Sequence, residues 1–472
     1  MTTDNQKIGV VEKIGYSLGD LAANLIFQTL MTFLAFFYTD VFKIPSGAAS
    51  TIIFVGGMVG AFFNPIMGVI ADRTNTKWGK YRPWLLWTAI PFGAMAILAF
   101  STPNFSLNGK IAYAFITYVL LVIIYAANNL PYSALSGVIT GSMAERNSLS
   151  SYRFVAVTIA QFIIQALLLP LVLIMGGGDR AIGFEKVMLI FSITGAICFL
   201  ISFATTKERI TPKPEQKSSL KEDLGDLIKN KPWIAMLIAT VFVFISLSIK
   251  GGSYVFYFEN YLSHAALQEF VGSFSFVSAL GLEGDVATVG FSLFSTGGII
   301  FTLIGIGFSK SLADKYGKRN VFGIAMFLAT VFLFAFLFFP PQAIWAVFIS
   351  QMLNGFFYGI TTPLLWAMIA DVADYSEVKN NRRATAIIFS AMVFGLKAGL
   401  AIGGSLVAGL LGIFGYNEAL ATQSPEAITG IKLMVSVIPT VTFLIAISCM
   451  FFYEIDKKME VEIEEELKKR HG

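Results

Sequence analysis

Twelve long apolar runs, separated by short polar gaps, set the plan of this chain. They cover about 15–39, 47–70, 83–102, 111–138, 152–175 and 186–205, then 233–262, 286–311, 320–339, 342–370, 384–413 and 430–453. Each is near the roughly 20 residues that a helix needs to cross a bilayer. The pattern predicts an all-α membrane protein with twelve transmembrane helices in two six-helix halves around a central cavity. The predicted divisions are residues 1–205, a linker 206–232, residues 233–453 and a charged tail 454–472. Within the linker, Ser218 to Ile228 reads as a short amphipathic helix. The tail alternates acidic and basic residues at helical spacing, which predicts a solvated helix.

The gap between the second and third runs is the most informative. Asp72 and Arg73 open it, and Lys77, Lys80 and Arg82 follow before Pro83. A shortened echo, Asp314-Lys315-Tyr316-Gly317-Lys318-Arg319, follows the eighth run about half a chain later. A motif repeated at half-length predicts two related halves with one topology. Lys and Arg concentrate in alternate gaps, and the segment Ser263 to Asp285 has neither. By the positive-inside rule both termini and the basic gaps are cytoplasmic.

Composition agrees with a polytopic membrane protein. Of 472 residues, 56% are hydrophobic and only 14% charged, against about a quarter charged in a soluble domain. The net charge of +4 comes from basic gaps, which is an orientation signal and not a nucleic-acid signal. No cleavable signal peptide is visible. Cys198 and Cys449 lie inside apolar runs, and His264 and His471 are far apart, so no disulfide or metal framework is expected. No cofactor is expected either.

Charges deep in a span are costly and mark function or pairing. Asp20, Arg153, Lys250 and Lys397 occupy such places in the first, fifth, seventh and eleventh runs. Asn24 shares a helix face with Asp20. In the fourth run Asn128 and Asn129 precede Pro131 and Tyr132, and a proline there frees a carbonyl that a cavity can use. These residues, with Trp366 as a stacking platform, suit a hydroxyl-rich solute. The blander readings are an Asp20–Lys397 pair, Arg153 snorkelling to the inner surface, and Trp366 as packing. Lys250 and Lys397 outnumber Asp20, which favours an acidic substrate such as a hexuronide; pairing of Lys250 with Glu259 is the alternative. Asp371 and Asp374 precede Lys379, Arg382 and Arg383. With Asp72, Arg73 and Asp314 they read as a cytoplasmic charge network that gates transport.

Several ordered segments carry a family resemblance. They include Tyr16–Asn24, Tyr38–Asp40, Asn64–Gly68, Trp78–Pro83, Leu130–Tyr132, Tyr152–Phe154, Ala370–Tyr375 and Lys397. On these the chain resembles the glycoside–pentoside–hexuronide:cation symporters of the major facilitator superfamily. The resemblance implies a proton- or sodium-coupled sugar carrier working by alternating access. It implies that Asp20, Asn129 and Arg153 contact substrate, with Lys397 in the same network. The family's second-span carboxylates fall at Gly60 and Asn64 here, and its fourth-span sugar-binding aspartate falls at Asn129. That leaves Asp20 as the coupling carboxylate and the choice between H+ and Na+ open.

The expected protein is therefore a sugar or glycoside importer, a monomer in the bacterial inner membrane, whose partners are a small sugar and the bilayer. An uncoupled facilitator and a carrier of amphipathic lipid are the transport alternatives. No hydrolase triad, metal spacing or nucleotide motif points to an enzyme, and no attached soluble domain points to a receptor.

Overall fold

A computed structural model describes residues 7–140, 142–210, 229–274, 285–380, 385–420 and 422–471. Twelve helices are long and apolar enough to span a membrane. In order they are Val10–Val41, Ser46–Arg73, Arg82–Ala99, Leu107–Ile139, Ser148–Gly176 and Arg180–Thr205, then Lys231–Asn260, Val286–Tyr316, Lys318–Phe338, Ile344–Lys379, Ile388–Ile413 and Pro425–Cys449. Apart from a bridge between Thr76 and Gly79, no β pairing occurs among the described residues. Each span overlaps one expected apolar run. The proposed helix at 218–228 lies outside the described residues.

Capping explains where the ends differ. The sixth span starts at Arg180, earlier than its apolar run, because Asp179 Oδ1 accepts from the amides of Ala181 (2.8 Å) and Ile182 (3.3 Å). Asn230 and Asp285 cap the seventh and eighth spans in the same way, accepting from Trp233 and Thr288. Such caps satisfy amides that the first turn leaves unpaired. Among the described residues, two further helices do not span. His264–Gly272 follows the seventh span, with Phe270 packed on Trp345 and Phe348.

The second is the tail helix, Lys457–His471, and here the expectation of a solvated helix is corrected. Met459, Ile463 and Leu467, four residues apart, pack against the core beside the tenth span. Burying that stripe outweighs the charge alternation that suggested full solvation.

The chain forms two compact units, Met1–Glu215 and Gln216–Gly472. In the first, the five most extensive pairings join spans 1 and 5, 1 and 6, 2 and 4, 3 and 4, and 3 and 6. In the second, the corresponding pairs are 7 and 11, 7 and 12, 8 and 10, 9 and 10, and 9 and 12. Each set is unchanged when the first three spans of its unit are exchanged in order with the last three. Each unit is thus built from two three-helix repeats. Small residues bring the helices close. Gly395, Gly399 and Gly403 of the eleventh span face Leu237, Val241 and Ile245 of the seventh. Such spacing lets helix backbones approach where no solvent drives association.

Candidate functional site

Among the described residues of the first unit, an ion pair lies deep among the spans. Asp20 on the first span is buried, and Arg153 on the fifth reaches it: Nε donates to Oδ2 at 2.5 Å and Nη2 to Oδ1 at 3.4 Å. The guanidinium also lies over two aromatic rings, 5.6 Å from Tyr16 and 5.3 Å from Tyr132. Those rings stack at 4.6 Å, and each hydroxyl donates to the other residue's carbonyl, at 2.8 and 2.7 Å. Gly19 permits the stack, since a Cβ there would sit 2.4 Å from the Tyr132 ring. Arg153 therefore does not simply snorkel outward. Its fork geometry holds both carboxylate oxygens, and its flat face covers the rings.

Around this pair the asparagines divide. Asn128 is buried and donates to Thr88 Oγ1 at 2.7 Å, while Asn129 is half-buried. Asn24 donates to the Asp20 carbonyl at 2.9 Å, so its amide nitrogen serves its own helix. At the positions where the resemblance looks for second-span carboxylates, Asn64 donates to the Gly60 carbonyl at 2.7 Å, and Val122 packs beside Gly60.

The second unit carries a different cluster between its seventh and tenth spans. Lys250 Nζ donates to Asn354 Oδ1 at 2.7 Å and sits 5.5 Å from the Tyr358 ring centre. Asn354 is fully buried and donates to the Ala329 carbonyl at 2.8 Å. One turn on, Tyr254 donates to Gln351 Oε1 at 3.1 Å. Lys250 thus meets a neutral acceptor, and the pairing with Glu259 does not form. Lys397 is half-buried on the eleventh span, and Trp366 on the tenth is exposed.

The residues read as a gate take varied positions. Asp72 and Arg73 are exposed, and Asp72 Oδ1 accepts from the Tyr81 hydroxyl at 2.8 Å. The basic hairpin is fixed instead by Glu208, just past the sixth span. Its carboxylate accepts from the amides of Lys80, Tyr81 and Arg82 at 2.9, 2.7 and 2.9 Å. Gly79 allows this, with φ of 110° and no room for a Cβ beside the Glu208 carboxylate. Beside it, Glu12 holds both terminal nitrogens of Arg209 at 2.8 Å, which pushes the Arg209 pKa up. Lys13 and the Ile8 amide hold Glu145 below the usual glutamate range.

In the second unit Lys318 donates to both oxygens of Asp371, at 2.6 and 2.7 Å, with Glu460 of the tail 3.8 Å away. Lys457 of the tail donates to the carbonyls of Asp314 (2.7 Å) and Lys315 (3.0 Å), leaving the Asp314 carboxylate exposed. Asp314, Lys318, Asp371, Lys457, Glu460 and the half-buried Asp374 line a cavity of about 570 Å³. Burial pushes the Glu460 carboxyl above its usual range, against the pull of Lys318. Arg382 and Arg383 lie outside the described residues.

Sequence reasoning missed Tyr16, Tyr132, Asn354, Glu208 and Glu460 as partners. The aromatic pair lay within the family segments, and Asn354 is a neutral polar residue that a search for deep charges passes over.

The profile of the family described as MFS/sugar transport protein matches residues 15–457. The inner membrane symporter YicJ of Escherichia coli is 35% identical, covering 94% of this chain and 91% of that one. The isoprimeverose transporter of Lactiplantibacillus pentosus is 32% identical (98% and 92% covered), and the glucuronide carrier protein homolog of Escherichia coli is 28% identical (99% and 97% covered). Among solved structures, a bacterial homolog of the human lysosomal transporter Spinster superposes with a TM-score of 0.64 at 13% identity, covering 94% of this chain and 95% of that one. The nucleoside transporter NupG gives 0.61 at 14% identity, with 95% and 100% covered. At such identities these structures speak for the fold alone.

Proposed function

The chain belongs to the MFS/sugar transport protein family, and from that premise we propose that it imports a sugar or glycoside by cation-coupled alternating access. It is a multi-pass membrane protein, and the bacterial inner membrane, with the carrier acting as a monomer, is the setting this reading assigns. Relatives named as an inner membrane symporter and an isoprimeverose transporter support it. The observation that carries the reading is the Asp20–Arg153 pair over stacked Tyr16 and Tyr132. Carboxylate and guanidinium can offer sugar hydroxyls an acceptor and donors, and the buried rings of Tyr16 and Tyr132 hold the guanidinium in place for that contact. Within the first unit Asn129 is assigned to substrate binding and Asp72 and Arg73 to gating; within the second unit Lys397 is assigned to substrate binding and Asp314, Asp371 and Asp374 to gating.

Coupling follows from the same pair. Asp20 carries the proposed coupling proton. Protonating it would remove the charge that holds Arg153, so proton and sugar would act on one side chain. Gly60 and Asn64 supply no carboxylate for sodium. The test is uptake into proteoliposomes of a panel of labelled monosaccharides, disaccharides, glycosides and glycuronides, under imposed proton or sodium gradients. A proton gradient should accelerate uptake of at least one sugar, and Asp20→Asn should abolish that acceleration. Sodium stimulation that survives Asp20→Asn would refute the coupling assignment. No uptake of any sugar would refute the reading as a whole.

A further inference from the structure

The hairpin between the second and third spans carries more positive charge than its surroundings neutralise. Arg73 and Lys77 are exposed, and Lys80 is half-buried. Among the described residues none of these three side chains forms an ion pair. The Lys77 ammonium instead rests 4.8 Å from the ring centre of Trp78. The carboxylates nearby are engaged otherwise. Glu208 accepts from three backbone amides of the hairpin, and Asp72 Oδ1 accepts from the Tyr81 hydroxyl.

The patch is also held in shape. Thr76 and Gly79 pair through their backbones at 3.1 and 3.3 Å, and the Thr76 hydroxyl donates to the Gly79 carbonyl at 2.9 Å. A loop already ordered on folding gives up little further freedom when it binds an ion. Aromatic rings stand at the adjoining helix ends. Trp78 meets Phe203 of the sixth span edge-on at 5.8 Å, and Trp84 meets Trp87 edge-on at 5.3 Å. Trp78 and Trp87 are exposed. From Trp87 the exposed apolar stripe of the third span runs on through Ile90 and Leu98, and that of the sixth carries Ile193 and Ile197. Such stripes face acyl chains, and tryptophans at their ends mark the level of the headgroups.

We infer that this hairpin is a docking site for the headgroup of an anionic phospholipid of the phosphatidylglycerol type, with Lys77 and Lys80 on its phosphate. The surplus of charge selects the class. A phosphodiester with no cation of its own neutralises the patch, whereas a zwitterionic headgroup brings an ammonium with it and adds no net negative charge. The basic composition of the hairpin assigns the site to the cytoplasmic leaflet.

Native mass spectrometry of the full-length carrier, in detergent with equal amounts of phosphatidylglycerol and phosphatidylcholine of matched chains, tests this. A basic residue beside an anionic headgroup contributes roughly fivefold in affinity. The wild type should therefore retain the anionic lipid at least about tenfold over the neutral one. Lys77→Gln with Lys80→Gln should bring that ratio close to one, whereas Lys77→Arg with Lys80→Arg should keep it. Lys458→Gln, which removes an exposed cation of the tail helix, should leave it unchanged. Glycerol phosphate at the concentration of the lipid should not displace the lipid. Equal retention of both lipids by the wild type would overturn the inference. So would a ratio unchanged in the Gln variant, or one lost equally in the Arg variant or in Lys458→Gln. Displacement by glycerol phosphate would overturn it in favour of a soluble phosphate as the ligand.

Discussion

Arg153 is fixed from three sides, by the Asp20 carboxylate and by the rings of Tyr16 and Tyr132. Removing one member of such a pair leaves the other charge buried, at a cost of about 1–3 kcal/mol where one partner is still partly solvated. Arg153→Gln is therefore expected to lower the thermal stability of the detergent-purified carrier. The double substitution with Asp20→Asn should recover most of it. Thermal unfolding of the four proteins closes the cycle; a loss in the double variant equal to the sum of the two single losses would show that the pair contributes no coupling. Both charges stood out in the sequence, because Asp and Arg are rare inside apolar runs. Their pairing did not, because hydropathy marks residues one at a time and they lie on the first and fifth spans. The tyrosines were legible only as pieces of a family segment. Asn354 was not legible at all: a neutral amide is common in a span, and only its contacts with Lys250 and Ala329 single it out.

At the scale of elements, polar anchors fix the ends of helices that apolar burial alone leaves free to slide. Glu208 ties the sixth span to the hairpin between the second and third, and Lys457 ties the tail helix to the end of the eighth. The docked tail carries a pH dependence. Burial raises Glu460, and Lys318, Asp371 and Lys457 face it. A carboxyl raised on docking favours the docked state when protonated. That contribution is complete below the ordinary glutamate range, near 4.5, and is lost as pH rises through the raised value. Amide exchange in the tail helix should therefore quicken, beyond the intrinsic pH effect, as pH rises through that window. Glu460→Gln should flatten the response. An unchanged profile in that variant would assign the effect elsewhere. The tail was misread because its charge alternation is conspicuous, whereas its apolar stripe amounts to Met459, Ile463 and Leu467.

At the scale of the whole molecule, the twelve spans were legible because apolar runs of bilayer length have few other uses. One repeated loop, Asp72–Arg82 and its echo at Asp314–Arg319, suggested two related halves. The three-helix repeat inside each half was not legible, since its pairings join spans distant in sequence. Each half nonetheless carries its complete set of five pairings. Expressed as two chains, 1–215 and 216–472, each is expected to retain a protease-resistant helical core in detergent. Rapid digestion of either fragment alone would show that its core is incomplete without the other.

The same pairing scheme bears on how the protein is made. A half's first three spans pack little on one another, and their main partners are its fourth, fifth and sixth. As the ribosome delivers helices in order, the first three enter the membrane with their contact faces bare. No half can consolidate until its fourth span has left the insertion machinery. The stretch of synthesis between the third and fourth spans, and again between the ninth and tenth, is thus when the nascent chain is most exposed to quality-control proteases and most reliant on membrane chaperones.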